Sequence, residues 1–488
     1  MGKSVKNNLI LNVINSGTQV LFPLITFPYV CRVIGVEGMG QVDFFNSIIS
    51  YIYLFTSLGI PLYAIREVAR VSDDVKIMNK TVAEIFSLSL CLTLMGYVVV
   101  GLLCICVPQI REAHTLFVIL SLYLFFSAIG CEWFYQGIED FKYITIRGIC
   151  VKLLSVILLF ISVRSSSDLL LYGVYCVLGS VGGNIFNFVR LRKYIHKEYL
   201  IYDELNIRRH IVPVLKVFVF SLITSFYLKL NPAILGFVSG NSSVGYYGAA
   251  VKLVTIMLTL TTCLSQVIMP RASKLIAGNQ KEEYAVLVQK SFDCMLLFAI
   301  PLSIGLICVA PYAIKVLCGD GFIESVFASQ IVAPIVVLVG VSNVIGIQIL
   351  YPSGDIKDVI ISCGIGALIN VFLCIVLIPP YAHVGAAIAY LGAELSTTLA
   401  MCIISKHKIP IKLKASHFHY ILGAILMIPV IAAFNHYSHS GAMTKLLADI
   451  LMGGIVYGVY LFSVKDSLVL YMYKSIKSVI SGILPSCK

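Results

Sequence analysis

The stretch Val82-Ala-Glu-Ile-Phe-Ser-Leu-Ser-Leu-Cys-Leu-Thr-Leu-Met-Gly-Tyr-Val-Val-Val-Gly-Leu-Leu-Cys-Ile-Cys-Val107 decides the fold class. Lys76 and Lys80 precede it and Pro108 closes it. A helix of about 20 predominantly apolar residues crosses roughly 30 Å of hydrocarbon. In lipid a helix is the one element that satisfies its own backbone over such a run. Similar runs recur along all 488 residues, which are 59% hydrophobic and only 12% charged, with a mean hydropathy of +0.94. A soluble domain carries about 25% charged residues, so water is not the solvent for most of this chain.

Cutting at charge clusters and Pro/Gly turns predicts an all-helical polytopic membrane protein of about 14 spans. They fall at about 8–31, 41–62, 82–107, 114–133, 146–163, 169–189, 212–237, 244–269, 288–310, 326–349, 359–379, 383–405, 417–435 and 446–464, joined by short loops. The start, Met1-Gly-Lys-Ser-Val-Lys6, looks like the basic end of a signal peptide. The apolar run behind it is too long and has no small-residue cleavage site, so it is expected to stay as the first span. No lipid-anchor motif is present at either end.

Basic residues set the orientation, because Lys and Arg collect in short cytoplasmic loops. With the N-terminus inside, about 28 of the 36 Lys and Arg fall on the cytoplasmic side, among them Arg66, Arg70, Lys76, Lys80, Arg190, Arg192, Arg208, Arg209, Lys406 and Lys408. Both termini are then cytoplasmic. The net charge of +12 reads as a topology signal and not as a nucleic-acid surface, since the basic runs flank spans and belong to no binding module. The fifteen cysteines lie mostly inside apolar runs, without disulfide or zinc spacing.

The chain carries a weak internal duplication at an offset of roughly 205 to 217 residues. Gly40 to Arg66 parallels Gly245 to Arg271. Tyr135-Gln-Gly-Ile-Glu-Asp-Phe-Lys142 parallels Tyr351-Pro-Ser-Gly-Asp-Ile-Lys357, and Arg190-Leu-Arg-Lys193 parallels Lys406-His-Lys408. Six spans repeated twice, plus a terminal pair, make fourteen. The expected organisation is an N-terminal six-helix lobe over 1–200, a C-terminal one over 201–408, and two extra helices with a basic tail over 409–488. An even number of spans per repeat relates the lobes by an axis along the membrane normal, with a central cavity between them.

Polar residues form stripes at helical spacing: Asn8, Asn12, Asn15, Gln19 and Thr26 on the first span, and Asp43, Asn46, Ser47, Ser50 and Ser57 on the second. Ser221, Thr224, Ser225 and Lys229 follow on the seventh, then Lys252, Thr255, Thr259, Thr262 and Gln266 on the eighth. Such stripes either bond helix to helix or line a polar cavity, and their repeat-related placement favours the cavity. A lysine in hydrocarbon costs at least about 2.5–3.5 kcal/mol, so Lys229 and Lys252 are expected to face the lumen, with a snorkelling or ion-paired lysine as the other reading. Lys152 either lines the lumen or pairs locally. Asp43 and Glu394 are ion-coupling candidates, with a structural role for Glu394 equally open. Pro23 and Pro28 in the first span can bend it.

A phosphate-binding loop is absent, as is a soluble domain able to house an ATPase, which points to an ion or substrate gradient as the energy source. His436 with His439, and His417 with His419, lack the rest of a metal ligand set. No metal site, cofactor or catalytic residue is expected.

Three stretches carry a family resemblance. The first is Phe27-Pro-Tyr-Val-Cys-Arg-Val-Ile-Gly35 through Gly38-Met-Gly40 to Leu58-Gly-Ile-Pro-Leu-Tyr-Ala-Ile-Arg-Glu67. The second is Glu132-Trp-Phe-Tyr-Gln-Gly-Ile-Glu-Asp-Phe-Lys142. The third is Val244-Gly-Tyr-Tyr-Gly-Ala-Ala-Val-Lys252 with Met269-Pro-Arg271. Over essentially its whole length the chain resembles the Wzx-type polysaccharide (O-antigen or capsule) repeat-unit flippases of the multidrug/oligosaccharidyl-lipid/polysaccharide exporter superfamily. The resemblance implies two six-helix lobes around a V-shaped cavity in a bacterial inner membrane. It implies transport of an undecaprenyl-diphosphate-linked oligosaccharide from the cytoplasmic to the periplasmic leaflet, and partners comprising that substrate, membrane lipids and the polysaccharide polymerase machinery. On this reading Lys229 and Lys252 hold the anionic head group, and Asn15, Gln19, Asn46, Thr255 and Thr259 meet the sugars. A drug or cation antiporter of the same fold, with Asp43 or Glu394 as its acidic site, is the alternative; an enzyme of glycan assembly is a third class.

Overall fold

The computed structural model describes residues 3–195, 205–225 and 229–473. Among them the chain is helical, with no strand. The elements are α1 (Lys3–Ser57), α2 (Ile60–Val71), α3 (Val75–Cys106), α4 (Pro108–Glu112), α5 (His114–Gly130), α6 (Glu132–Gly137), α7 (Phe141–Ser162), α8 (Leu169–Val181) and α9 (Asn184–Leu191). There follow α10 (Arg208–Ser225), α11 (Leu230–Ala277), α12 (Lys281–Leu317), α13 (Ser325–Val332), α14 (Ile335–Asn343), a π-helical turn (Val344–Leu350), α15 (Ile356–Ile404), α16 (Ala415–Tyr437) and α17 (Ala442–Ser463). Nine helices among the described residues are long and apolar enough to cross a membrane.

The solvent is legible in which side chains turn outward. On α3 Leu94 and Ile105 are 69% and 71% exposed, while Ile85, Thr93, Gly96 and Val100 of the same helix are buried. On α15 Leu368, Phe372 and Ile375 face outward, and Asn370 is fully buried, its amide donating to the Ala389 carbonyl at 3.2 Å. Large apolar side chains outside and polar ones inside cover the molecule far beyond the patches a water-soluble monomer exposes; hydrocarbon removes that cost. The protein is a multi-pass membrane protein.

Several expected spans are joined by single residues instead of loops. Within α1 only Gly35 leaves helical geometry (φ 77°, ψ −179°), and within α11 only Gly240 does so (φ 79°, ψ 175°). This backbone region is essentially open to glycine alone. The two glycines are 205 positions apart, at the offset of the duplication. Ala382 also breaks α15, in a different backbone geometry (φ 45°, ψ −123°), just after Pro379 and Pro380. The expected sixth span bends by 46° between α8 and α9 at Gly182-Gly183, where a short side-chain-free step tilts the axis.

By packing, the chain divides into two compact units, residues 1–245 and 246–488. The lobe boundary at 200/201 divides the repeat by sequence, a different criterion. In the first unit the fifteen-residue core about Tyr63, Ile85, Phe134 and Tyr135 packs α2, α3, α6 and α7 together. The expected basic tail lies mostly outside the described residues, beyond 473.

Two substitutions test the turns. A methyl at Gly35 or Gly240 would meet nothing within 4 Å, so only backbone strain opposes it. Gly35→Ala and Gly240→Ala should each destabilise by about 1–3 kcal/mol, read as a lowered unfolding midpoint in detergent. Gly101→Ala, equally unobstructed but within helical α3, should instead raise the midpoint, by the equivalent of up to about 1 kcal/mol.

Candidate functional site

Lys252, Thr255 and Thr259 share one face of α11 in the second unit. Lys252 and Thr255 are exposed and Thr259 is half-buried. Both hydroxyls donate to their own helix, Thr255 to Val251 O at 2.8 Å and Thr259 to Thr255 O at 3.0 Å, leaving oxygen lone pairs toward the open side. Lys229, in the first unit, is exposed at the start of α11. Asn46 and Asp43 are half-buried on α1; Ser47 and Ser50 donate to Phe44 O and Asn46 O at 2.6 Å each. The side chains of Asn15 and Gln19, and those of Ser221, Thr224, Ser225 and Gln266, lie outside the described residues. Glu394 is 4% exposed inside the second unit, enclosed by packing on α15.

The first unit also holds a charged group around α7. Arg147 donates to Glu132 at 3.1 Å and to the Gly183 carbonyl at 3.5 Å, and its Nε is buried without a hydrogen-bond partner among the described residues. Half-buried Lys152, five positions further along α7, has Glu132 and Arg147 as its electrostatic neighbours. The cluster therefore carries one carboxylate against two cations. Sequence leaves Lys152 two readings and does not reveal Arg147, because an arginine beside a loop is indistinguishable by spacing from a topology charge.

The Glu132–Lys142 segment is a clamp. Asp140 caps α7 at the Tyr143 N–H (3.3 Å) and pairs with Arg190 at 2.8 Å; the Arg190 guanidinium lies 3.8 Å from the centre of the Tyr143 ring. In the second unit Lys408 reaches Asp355 at 2.8 Å and Asp358 at 2.9 Å, and these carboxylates hold its ammonium above its ordinary pKa. The left-handed residues Glu139 (φ 60°) and Gly354 (φ 81°) precede α7 and α15 equivalently. Both parallels proposed from sequence for these segments thus close as ion pairs.

An apolar cavity of about 690 Å³ opens in the first unit among α1, α3 and the start of α11, lined by Ile48, Tyr51, Phe55, Met95, Val99 and Phe237 among others. Its walls suit an aliphatic chain and offer almost nothing to a polar one.

A two-unit, multi-helix membrane bundle with internal duplication and buried polar clusters defines a transporter-type fold, and the comparisons agree. Residues 4–276 match the model of the polysaccharide biosynthesis protein family. The chain belongs to this family. It is 28% identical over 414 residues, 83% of its length and 98% of the relative's, to a putative O-antigen transporter of Escherichia coli K12. A probable low-salt glycan biosynthesis flippase of Haloferax volcanii is 24% identical over 236 residues, 48% of this chain and 49% of that one. Among solved structures, the lipid II flippase MurJ in an inward closed conformation shares the fold, with TM-score 0.75, 17% identity and coverage of 94% of this chain and 100% of that one. An inward-facing multidrug MATE transporter follows at TM-score 0.62 and 12% identity, covering 82% and 98%.

The clamp gives a direct test. Arg190→Ala should lower the unfolding midpoint by the equivalent of about 1–2 kcal/mol, losing both the charge-assisted bond and the ring contact. Arg190→Lys, which keeps charge but not the planar stack, should fall between. Identical melting of all three proteins would remove the clamp's role.

Proposed function

We propose that this protein is a flippase, not an enzyme, that carries lipid-linked oligosaccharide repeat units from the cytoplasmic to the periplasmic leaflet of a bacterial inner membrane for surface polysaccharide assembly. The observation that carries the reading is the match along 98% of an E. coli protein described as a putative O-antigen transporter, within a family described by polysaccharide biosynthesis. The expected fourteen spans and cytoplasmic termini complete the proposal, supported by the bias of basic residues toward one side.

The substrate's chemistry explains what the protein must supply. An unpaired ion in hydrocarbon costs tens of kcal/mol on the Born estimate, so a diphosphate needs cations along its route and the sugars need hydroxyls and amides. The prenyl tail needs no transport path, only an apolar flank. Exposed Lys229 and Lys252 are proposed contacts of the diphosphate, with Thr255, Thr259, Asn46, Asn15 and Gln19 proposed for the sugars. The cavity beside Met95 and Phe237 is the proposed flank for the tail. Coupling to an ion gradient, with Asp43 or Glu394 as the responsive carboxylate, and contact with the polymerase machinery belong to the same proposal.

The decisive experiment reconstitutes the protein in liposomes and follows leaflet exchange of a fluorescent polyprenyl-diphosphate oligosaccharide, with and without a proton or sodium gradient. Protein-dependent exchange is expected; efflux of small organic cations with no exchange would replace the flippase by an antiporter. Lys229→Ala with Lys252→Ala should slow exchange at least about tenfold, the equivalent of 1.4 kcal/mol, at normal abundance, with Lys→Arg milder. Full activity of the double alanine variant would sink the head-group assignment. Replacing Met95 and Val99 by Trp should slow exchange while leaving the protein's abundance unchanged; an unaltered rate would count against the tail flank.

A further inference from the structure

Each unit contains a buried carboxylate held by a histidine and a longer cation, and the two clusters stand on equivalent elements of the duplication. In the first unit Glu84 of α3 is fully buried. Its Oε1 accepts the Asn206 backbone N–H at 2.8 Å, and its Oε2 accepts from Arg209 Nε at 2.7 Å and lies 2.8 Å from His210 Nε2. Arg209 also donates to the Thr81 hydroxyl at 3.2 Å, and Tyr63 of α2 sets its hydroxyl 2.7 Å from His210 Nδ1.

In the second unit Asp293 of α12 is 5% exposed. It accepts from Lys414 Nζ at 2.5 Å and from the Gln289 amide at 2.7 Å, and lies 2.9 Å from His417 Nε2. Gln289 further accepts the Lys412 N–H at 2.7 Å and donates to the Lys412 carbonyl at 3.1 Å. Asp293 stands 209 positions after Glu84, Lys414 205 after Arg209, and His417 207 after His210. Gly35 and Gly240, 205 positions apart, fall in the same range. The duplication has therefore kept a charged fastening between the third span of each repeat and the start of the helix that follows its sixth, α10 in one case and α16 in the other.

The surroundings of the two rings differ: Arg209 Nε also points at His210 Nε2, at 3.2 Å, and the two Nδ1 atoms have unlike partners. His417 Nδ1 accepts the backbone N–H of Lys414 at 3.3 Å, which caps α16. A carboxylate only accepts, so Nε2 carries the proton toward Asp293, and Nδ1, which accepts, carries none. Adding a proton turns Nδ1 into a donor facing a donor, breaks the cap, and leaves two cations on one carboxylate. His210 Nδ1 faces a hydroxyl, and Tyr63 can donate to it or accept from it by turning its O–H. The groups around His417 are Asp293 and Gln289 from α12, the Lys414 ammonium, and Tyr420 of α16, whose hydroxyl donates to Asp466 beyond α17 at 3.3 Å; Phe292 meets the ring edge-on. Around His210 they are Glu84 and Thr81 from α3, Tyr63 from α2 with the Arg66 and Glu67 charges beside it, and Arg209.

We propose that these clusters are a duplicated latch fastening the N-terminal ends of α10 and α16 to their units, and that proton uptake by His417 opens the α16 latch while the α10 latch holds. Glu84, Arg209, Asp293 and Lys414 are then positioning residues, and the histidines decide which latch responds to acid.

Hydrogen–deuterium exchange of the full chain in detergent at pH 7.5 and 5.5, a window spanning ordinary imidazole titration, reads the two helix starts separately. After correction for intrinsic exchange, the α16 start should lose about tenfold or more of its protection at pH 5.5 and the α10 start should not change. His417→Gln, which keeps a donor toward Asp293 and an acceptor toward Lys414 without titrating, should give equal protection at both pH values, whereas His210→Gln should leave the acid response of α16 intact. Unchanged α16 protection in the wild-type protein, an equal loss at α10, or an acid response surviving in His417→Gln would each overturn the proposal. The exchange experiment needs no substrate, so its failure is distinct from failure of the flippase reading.

Discussion

A hydrocarbon solvent forms no hydrogen bonds, and every other feature of this protein answers to that. The backbone is satisfied by running as helix even through turns: three single-residue breaks, at Gly35, Gly240 and Ala382, stand where a soluble protein would place loops. Side-chain hydroxyls obey the same rule. Ser47, Ser50, Thr255 and Thr259 each donate to a carbonyl of their own helix, and Asn370 crosses to Ala389. Polar stripes are thus affordable in lipid without a partner protein.

Charges cannot be hidden in this way, and the structure gathers them. Glu84 and Asp293 are buried only because each meets a full set of donors; removing one partner of such a pair generally costs about 3–5 kcal/mol. Their equivalence across the repeat, together with the Asp140–Arg190 and Asp355–Lys408 pairs, shows what the duplication preserved. Overall sequence similarity between the halves is weak, yet the charged fastenings and the left-handed turns recur at matching positions. Lipid-facing apolar residues exchange freely with one another, while a buried carboxylate without its cation does not fold.

The same economy bears on transport. The proposed substrate has an anionic head, polar sugars and a long apolar tail, and the molecule offers exposed lysines and hydroxyls on α11 and an apolar cavity beside α3. A protein that must let a charged group pass keeps cations such as Lys229 and Lys252 at exposed positions.

Sequence alone determined the solvent, the helical class, the duplication and the family, because each rests on properties summed over many residues: hydropathy over 20 positions, charge bias over thirty-six basic residues, motif stretches over tens. It also placed Lys252, Thr255 and Thr259 on one face, since a 3.6-residue period needs no tertiary information. Only the tertiary structure decided which charges are fastened. Glu84 is one letter inside an apolar run, Arg209 and His210 lie more than a hundred positions away in a basic segment that reads as a topology signal, and His417 and His419 look like an incomplete metal pair. Their meaning depends on distances of under 3 Å between helices remote in sequence, and local periodicity carries no trace of which remote helix will supply the partner.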